Sequence, residues 1–174
     1  MKHVVLVGLP GSGKTTVGRS AAAQAGVPFL DFDEEIERRS GLTPTEFFLG
    51  RGEPAFRAHE LALSRELVGR HTIVVAPGGG WIAQPAARDA LGVQAVLVYL
   101  KVTPATAARR MGEAVQKRPL LASGSPVEGL QRLLDQRAAL YETADHVIDT
   151  EIVDLQGVID QVAALARRVA GVTG

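Results

Sequence analysis

The feature that most constrains the fold is a glycine-rich stretch of eight residues between a short apolar run and an amphipathic one. Residues 8–15 read GLPGSGKT and match the pattern G-x-x-x-x-G-K-[ST] at every fixed position. Glycines let the backbone curl until successive N–H groups converge, and a helix that begins there adds the positive end of its dipole. Because the apolar run Val4–Val7 precedes the loop and a helical pattern follows it, we predict a strand, a phosphate-binding loop and a helix.

The residue types within this loop predict a nucleotide bound together with Mg²⁺. The Lys14 ammonium group can reach β- and γ-phosphates, and the Thr15 hydroxyl can ligate the metal ion. The expected nucleotide-binding residues of the loop are Gly11, Ser12, Gly13, Lys14, Thr15 and Thr16. The motif therefore predicts ATP as the bound nucleotide, but it leaves the acceptor of a phosphoryl group open.

Apolar, β-branched runs alternate with helix-length segments along the chain. The predicted strands are Val4–Val7, Val27–Leu30, Thr72–Ala76, Ala95–Leu100 and His146–Ile148. The predicted helices are Lys14–Ala25, Glu34–Arg39, Glu53–Gly69, Pro85–Leu91, Pro104–Met111, Val127–Thr143 and Asp154–Val169. This order favours a three-layer α/β/α fold around a five-stranded parallel sheet.

Two segments interrupt the alternation. Residues 33–62 insert short helices after the second strand, and we expect this insertion to bind a substrate. Residues 112–125 are polar and have no periodicity. Long irregular loops in compact domains are usually functional, so we expect a mobile lid there. No linker or repeat divides the 174 residues, and we predict one domain over residues 1–174.

Composition excludes several classes of function. Lys and Arg number 19 and so do Asp and Glu, which argues against nucleic acid or an anionic membrane as a partner. The chain has no cysteine, which excludes disulfides, thiol catalysis and thiolate metal sites. The apolar run near the start is too short for a signal peptide or a membrane span. We therefore expect a cytoplasmic protein, and we expect a monomer.

Two acidic residues follow the second predicted strand. In an extended chain Asp31 and Asp33 would point to the same side, with Phe32 opposite. The carboxyl ends of parallel strands face the ligand crevice, so both carboxylates would lie near the phosphates. One could hold Mg²⁺ and the other could orient or deprotonate an acceptor hydroxyl. The alternative is that one of them only caps the helix that follows.

Further motifs follow in order. They are Phe56-Arg57-Ala58-His59-Glu60, Gly78-Gly79-Gly80, Arg118-Pro119-Leu120-Leu121, and Arg137 with Tyr141. Arg57 and Glu60 are three residues apart on a predicted helix, so Glu60 can hold the guanidinium group for a carboxylate ligand. Taken alone, this pair would also suit an exposed ion pair, and the glycines a plain turn. Together with the phosphate-binding loop, all these motifs resemble the shikimate kinase family from about Val4 to Thr150.

The resemblance implies the P-loop kinase fold and transfer of the ATP γ-phosphoryl group to the 3-hydroxyl of shikimate, on the route to chorismate and the aromatic amino acids. It implies Lys14, Asp33 and Arg118 as catalytic residues, with Asp33 as the candidate base and Arg118 in the lid. Arg110 and Arg118 would contact the nucleotide, and residues 149–150 would border the adenine. Thr15 and Asp31 would hold the Mg²⁺ ion.

The same resemblance implies a substrate site made from separate parts of the chain. Arg57 and Arg137 would bind the carboxylate of shikimate, and Asp33, Gly79 and Gly80 would bind its hydroxyl groups. Phe48 and Phe56 would line one wall. Both substrates, ATP and shikimate, are small molecules.

The chain also departs from the family pattern. Trp81 stands where the family usually has a small residue, and its side chain would either narrow the substrate pocket or face the core. Ala76 and Pro77 offer no metal ligand, so the metal site depends on Thr15 and Asp31. The segment between Arg110 and Arg118 is about one residue longer than usual.

Two alternatives stay open. One is a related small-molecule kinase that acts on gluconate or a nucleoside monophosphate. A nucleoside monophosphate would require further arginines for its phosphate, and the two aspartates would repel it. The other is a nucleotide-binding module without turnover, against which the joint presence of Lys14, Asp33 and Arg118 counts.

Overall fold

A parallel sheet forms the centre of the molecule in a computed structural model that describes residues 1–112 and 125–171. Its strands are β1 (His3–Val7), β2 (Phe29–Asp31), β3 (Val74–Ala76), β4 (Ala95–Lys101) and β5 (His146–Asp149). They lie in the order β2-β3-β1-β4-β5, and every neighbouring pair is parallel. The predicted five-stranded parallel sheet is confirmed.

Helices cover both faces of this sheet. They are α1 (Lys14–Ala25), α2 (Phe32–Ser40), α3 (Pro44–Leu67), α4 (Pro85–Leu91), α5 (Pro104–Met111), α6 (Pro126–Tyr141) and α7 (Leu155–Ala170). The bounds of α1, α4 and α5 are those predicted from the sequence. In α4 and α5 the first residue is a proline, whose fixed φ and missing N–H suit the start of a helix.

Side chains alternate along each strand and pack two cores on opposite faces of the sheet. The α3 core takes Val5 and Val7 from β1, and the α1 core takes Val4 and Leu6. Buried side chains of α2 to α6 complete the α3 core, among them Ile36, Phe47, Phe56, Leu91, Ala107, Leu130 and Tyr141. Buried side chains of α1 and α7 complete the α1 core, among them Val17, Ala21, Val158 and Val162.

The second strand ends at Asp31, one residue beyond the predicted Leu30, but the extended backbone does not continue to Asp33. Asp31 is the last residue of β2, and its carboxylate accepts hydrogen bonds from the N–H groups of Asp33 (2.9 Å) and Glu34 (3.3 Å). This side chain therefore caps α2, and Phe32 already has helical geometry. The prediction that an extended chain points Asp31 and Asp33 to one side was wrong, because helix capping wins over strand extension there.

The segment after β2 consists of α2 and a long helix with a break. Gly52 in α3 has a φ of 81° and a ψ of 164°, so the helix changes direction between its first and second parts. The second part begins near Glu53, where the sequence pattern predicted a helix to start. Residues 113–124, which include Arg118 and nearly all of the expected lid, lie outside the described residues. Among the described helices, none is both long and apolar enough to cross a membrane.

Candidate active site

A cleft of about 470 Å³ opens at the carboxyl ends of β1, β2 and β3. Residues 10–15 of the phosphate-binding loop line it, and so do both aspartates that follow Leu30. Lining residues that the sequence singled out are Gly11, Ser12, Gly13, Lys14, Thr15, Thr16, Asp31, Asp33, Gly79 and Arg110. The fold thus brings the predicted phosphate-binding and acidic residues to one place.

Close backbone packing explains the glycines of the loop. A Cβ atom at Gly11 would lie 2.5 Å from the carbonyl oxygen of Ala107, and Gly11 has a φ of 81°. At Gly8 a Cβ atom would lie 2.6 Å from the carbonyl oxygen of Leu100. Neither contact leaves room for a side chain, and a φ of 81° strains any residue other than glycine. The loop therefore packs directly on β4 and α5.

The amino end of α1 is open toward the cleft. Its N-cap residue, Gly13, supplies no side-chain hydrogen bond, and the first turn carries no acidic residue. The N–H groups and the positive end of the helix dipole are thus available to an anion. The Lys14 ammonium group donates to the carbonyl oxygens of Gly8 and Leu9, each at 2.9 Å, which holds it over the loop. This arrangement suits a polyphosphate.

Thr15 and Asp31 meet at the edge of the loop. The Thr15 hydroxyl donates to Asp31 Oδ2 at 2.6 Å, while Oδ1 of the same carboxylate caps α2. Two oxygen ligands of this kind beside a phosphate site match what Mg²⁺ uses, since it keeps several waters and takes further oxygens from the nucleotide. The residues present therefore fit the ion that the motif implies.

A buried carboxylate lies behind the glycine turn that follows β3. Glu60 has no exposed surface, and a Cβ atom at Gly78 would lie 2.5 Å from Glu60 Oε1 and 3.0 Å from Asp33 Oδ1. Burial raises the pKa of Glu60 and the Asp33 carboxylate adds to this, whereas Arg57 and Gln84 lower it. Two acidic side chains thus approach the same glycine.

Arg57 is held flat against this turn. Its guanidinium group donates to Glu60 Oε2 at 2.8 Å and to Glu53 Oε1 at 2.7 Å. A Cβ atom at Gly80 would lie 2.1 Å from Arg57 Nη2, so the guanidinium group packs on the bare Cα of that glycine. Phe48 also lies beneath it, with the ring centroid 5.7 Å from Arg57 Cζ. The exposed ion pair considered for Arg57 and Glu60 is therefore wrong, because Glu60 is fully buried.

Arg137 reaches the same turn from α6. Its Nη1 atom donates to the carbonyl oxygen of Gly79 at 2.7 Å, and the residue is only 8% exposed. One turn further along α6, Tyr141 is buried and stacks on Tyr99 with ring centroids 4.9 Å apart. Two guanidinium groups from helices far apart in sequence thus flank three consecutive glycines.

Arg110 marks the other end of the cleft. It donates to the hydroxyl and to the carbonyl oxygen of Thr150, each at 2.8 Å. Met111, Leu155 and Val158 add apolar surface beside it. This end offers a flat cation and apolar contacts, which suits a nucleotide base.

Trp81 faces the protein core. It is 1% exposed and belongs to the α3 core, and its indole Nε1–H donates to Ser64 Oγ at 2.9 Å. Of the two placements considered from the sequence, packing in the core is the one observed.

Sequence reasoning missed two residues of this site. Glu53 is a second acceptor for Arg57, and its spacing of four residues on a helix could have indicated it. Gln84 donates to Glu60 Oε2, and no pattern in the sequence signals this contact.

Comparison with known proteins gives one consistent result. A family model described as shikimate kinase matches residues 10–166. The shikimate kinase of Halorhodospira halophila is 45% identical over 149 residues, which is 85% of this chain and 84% of that protein.

Solved structures agree with the sequence comparison. The shikimate kinase of Acinetobacter baumannii in complex with shikimate superposes with a TM-score of 0.86 at 37% identity, covering 95% of this chain and 92% of the other. A gluconokinase of Sinorhizobium meliloti superposes with a TM-score of 0.59 at 22% identity, covering 98% and 94%, which reflects a shared fold alone.

Proposed function

Because the chain belongs to the shikimate kinase family, we propose that its cleft transfers the γ-phosphoryl group of ATP to the 3-hydroxyl of shikimate, giving shikimate 3-phosphate and ADP. The observation that carries the assignment of residues is the glycine turn at 78–80, which Arg57 and Arg137 flank and which Asp33 approaches. Positive charge for a carboxylate and an acceptor for a hydroxyl thus lie beside a phosphate-binding loop.

ATP would lie along the length of the cleft. Gly11, Ser12 and Gly13 and the start of α1, including Thr16, line the part of the cleft where its phosphates would lie. Lys14 would contact the phosphates from above the loop, and Arg110 would present its flat face to the adenine. A Mg²⁺ ion held by Thr15 and Asp31 would neutralise phosphate charge when it is bound.

Shikimate would lie against the glycine turn. Arg57 and Arg137 would bind its carboxylate in charge-assisted hydrogen bonds, and their positions on either side of the turn fix the ring between them. Asp33 and the backbone of Gly79 and Gly80 would bind the hydroxyl groups. Asp33 would accept the proton of the reacting hydroxyl, and correct orientation of that hydroxyl contributes at least as much as proton removal.

Arg118 completes the proposed catalytic residues, although it lies outside the described part of the chain. In this assignment it reaches the phosphates from the 112–125 segment after both substrates bind, and it stabilises charge on the transferring group. We further propose that residues 1–174 act as a single domain, as a monomer in the cytoplasm. Sedimentation of the purified chain tests the oligomeric state.

An acceptor screen tests the proposed reaction. ADP release from ATP and Mg²⁺ is measured with shikimate, quinate, gluconate and nucleoside monophosphates. We expect release with shikimate and only background with the others. Release with gluconate or a monophosphate would favour the related kinases, and ATP binding without release in any mixture would favour a non-catalytic module.

The methyl ester of shikimate sharpens the screen. It keeps every hydroxyl group but lacks the negative charge that Arg57 and Arg137 would bind. We expect the acid to be a far better substrate than the ester. Equal turnover of both would mean that the two arginines bind something other than a substrate carboxylate.

A further inference from the structure

The helical turn Trp81–Ala83 and the residue after it, Gln84, contact α3 at two points, and both contacts involve Glu60. The first contact fixes the backbone. The indole N–H of Trp81 donates to Ser64 Oγ, and Ser64 Oγ donates to the carbonyl oxygen of Glu60, each at 2.9 Å. Because Trp81 and Ser64 are buried, water does not compete for these hydrogen bonds.

The second contact fixes the side chain. The Gln84 amide donates to Glu60 Oε2, the same oxygen that accepts from Arg57 Nη1 at 2.8 Å. The other oxygen, Oε1, has no hydrogen-bond partner among the described residues and faces Gly78. A buried carboxylate requires such donors, since an unpaired charge away from water is costly. Gln84 is one of only two groups that donate to it in the described structure.

Arg57 also has a second, more exposed acceptor. Glu53 accepts from both Nε (3.0 Å) and Nη2 (2.7 Å) of Arg57, and the Glu53 side chain is 50% exposed. Glu60 and Glu53 hold the guanidinium group at the same time through different N–H groups, and Nη2, which donates to Glu53, is the atom nearest to Gly80. Glu60 is the buried one of the two acceptors, so the position of the Nη1 edge of Arg57 depends on how firmly the Glu60 carboxylate is fixed and ionised.

We propose that Gln84 is a positioning residue for the reaction: it holds Glu60 so that Arg57 stays against the glycine turn, where the carboxylate of the acceptor binds. This inference rests on the proposed role of Arg57 in the function above. It adds a contact that determines specificity although Gln84 itself does not touch the substrate. The contact comes from the turn that also carries Trp81.

Kinetics of Gln84→Met test the proposal, because methionine has a similar length and no N–H donor. We expect the KM for shikimate to rise by about fivefold or more, which is part of the effect of losing one hydrogen bond to a charged group, since Gln84 acts on the substrate through Glu60 and Arg57. Both kcat and the KM for ATP should stay within about twofold. Gln94→Met is the matched control, since Gln94 also makes a single hydrogen bond, to the N–H of Gly69, away from the cleft.

Two further readouts separate positioning from a general loss of stability. In an Arg57→Ala background, Gln84→Met should have no additional effect on the KM for shikimate. The acid limb of kcat/KM for shikimate should also move to higher pH in Gln84→Met, because Gln84, like Arg57, favours the ionised form of Glu60 while Asp33 opposes it.

The outcomes distinguish this inference from the proposed function. An Arg57→Ala variant with an unchanged KM for shikimate would overturn the role of Arg57 and with it this proposal. A raised KM in Arg57→Ala together with an unchanged KM in Gln84→Met would overturn the role of Gln84 alone. If Gln84→Met fails to fold, Gln84→Asn, which keeps the amide but shortens its reach, is read by the same criteria.

Discussion

The two ends of the cleft, to which we assign the nucleotide and the acceptor, hold their functional groups by different means, and we call them the nucleotide end and the acceptor end. At the nucleotide end, one continuous loop within residues 8–15 supplies most of the lining, and Gly8 and Gly11 are required because backbone atoms of β4 and α5 lie directly behind them. At the acceptor end, charged side chains from α2, α3 and α6 converge on one turn, and a buried glutamate fixes one of them. The first end is a local structure, whereas the second depends on how distant elements pack.

This difference predicts where substitutions act. A change at the nucleotide end alters the backbone or the phosphate contacts directly, and it should affect turnover or stability. A change at the acceptor end alters the position of a charged group. It should weaken the binding or phosphorylation of the acceptor and leave nucleotide binding intact. The following predictions test that separation, from the largest expected effect to the smallest.

Loss of the loop cation should have the largest effect. In Lys14→Ala we expect kcat to fall by roughly a thousandfold, because a preorganised charge beside the transferring phosphoryl group is removed. Steady-state kinetics at saturating ATP measure this, with Lys2→Ala as the matched control at an exposed position. Normal turnover in a variant with an unchanged circular dichroism spectrum would remove Lys14 from the mechanism.

Asp33→Asn should have the second-largest effect. We expect kcat to fall by about a hundredfold or more, the range for losing a general base that also orients the hydroxyl. Asp89→Asn on α4 serves as the control because Asp89 is exposed. A variant that kept more than about a tenth of the wild-type rate would show that Asp33 does not hold the acceptor.

Substitution of Arg57 or Arg137 should distinguish acceptor binding from nucleotide binding most clearly. Arg57→Ala and Arg137→Ala should each lower kcat/KM for shikimate by at least about thirtyfold, since each removes a charged hydrogen-bond partner from a desolvated site. The Kd for ADP, measured by calorimetry, should change by less than about threefold. Arg65→Ala on the exposed side of α3 should change neither value. A large loss of ADP affinity would mean that the two ends are coupled.

The same substitution at two glycines compares the ends directly. In Gly80→Ala the new methyl group meets the end of the Arg57 side chain, so we expect roughly a tenfold higher KM for shikimate and an almost unchanged Tm. In Gly11→Ala the methyl group meets a backbone carbonyl at a positive φ, so we expect the Tm to fall by several degrees. Thermal unfolding and kinetics on both variants decide this, and a reversed pattern would contradict the proposed difference.

The smallest expected effect is on the stability of the fold, and it comes from His3. His3 is buried, with Nε2 donating to the carbonyl oxygen of Leu67 at 2.9 Å and Nδ1 accepting from the Ile73 N–H at 3.3 Å. Burial lowers its pKa, although the bond to Leu67 opposes this. The pKa of His3 in the folded protein is therefore below its unfolded value of about 6.5. The stability that neutral, buried His3 contributes is present above pH 6.5 and is lost as pH falls through the folded pKa.

Urea midpoints between about pH 5 and 8 measure this contribution. We expect the wild-type midpoint to fall on the acid side and the His3→Gln variant to show a shallower dependence. The exposed His71→Gln variant should keep the wild-type slope. Equal slopes of urea midpoint against pH in all three proteins would mean that His3 contributes nothing to the pH dependence of stability. Kinetic comparisons of the two ends of the cleft could then be extended to lower pH.

Local signals in the sequence predicted the bounds of three helices well. The bounds of α1, α4 and α5 follow from the glycine-rich loop and from prolines at the first helical position, which act over a few residues. The extended geometry expected for residues 31–33 was wrong because Asp31 could either continue a strand or cap a helix, and the sequence did not decide between them. Local capping of α2 by the Asp31 carboxylate decides it.

The acceptor end was predictable only in its residue types. Arg57, Glu60 and Arg137 were identified through motifs, but the burial of Glu60 depends on the turn at 81–84 packing against α3. The contact of Trp81 with Ser64 joins residues 17 positions apart, and no periodicity connects them. Such contacts arise from the folded arrangement, so a pattern along the chain could not supply them.

The alternation of side chains along β1 has an evolutionary consequence. A substitution at Val5 or Val7 alters the packing of the helices that carry the proposed acceptor residues. A substitution at Val4 or Leu6 alters the packing of α1 and α7. Substitutions on the two faces therefore act on different sets of helices, although the α3 core also contains Leu9 of the phosphate-binding loop and Ala107 of α5. A lineage that shares this sheet can thus alter the packing of one face while the contacts of α1 and α7 on the other face stay nearly intact.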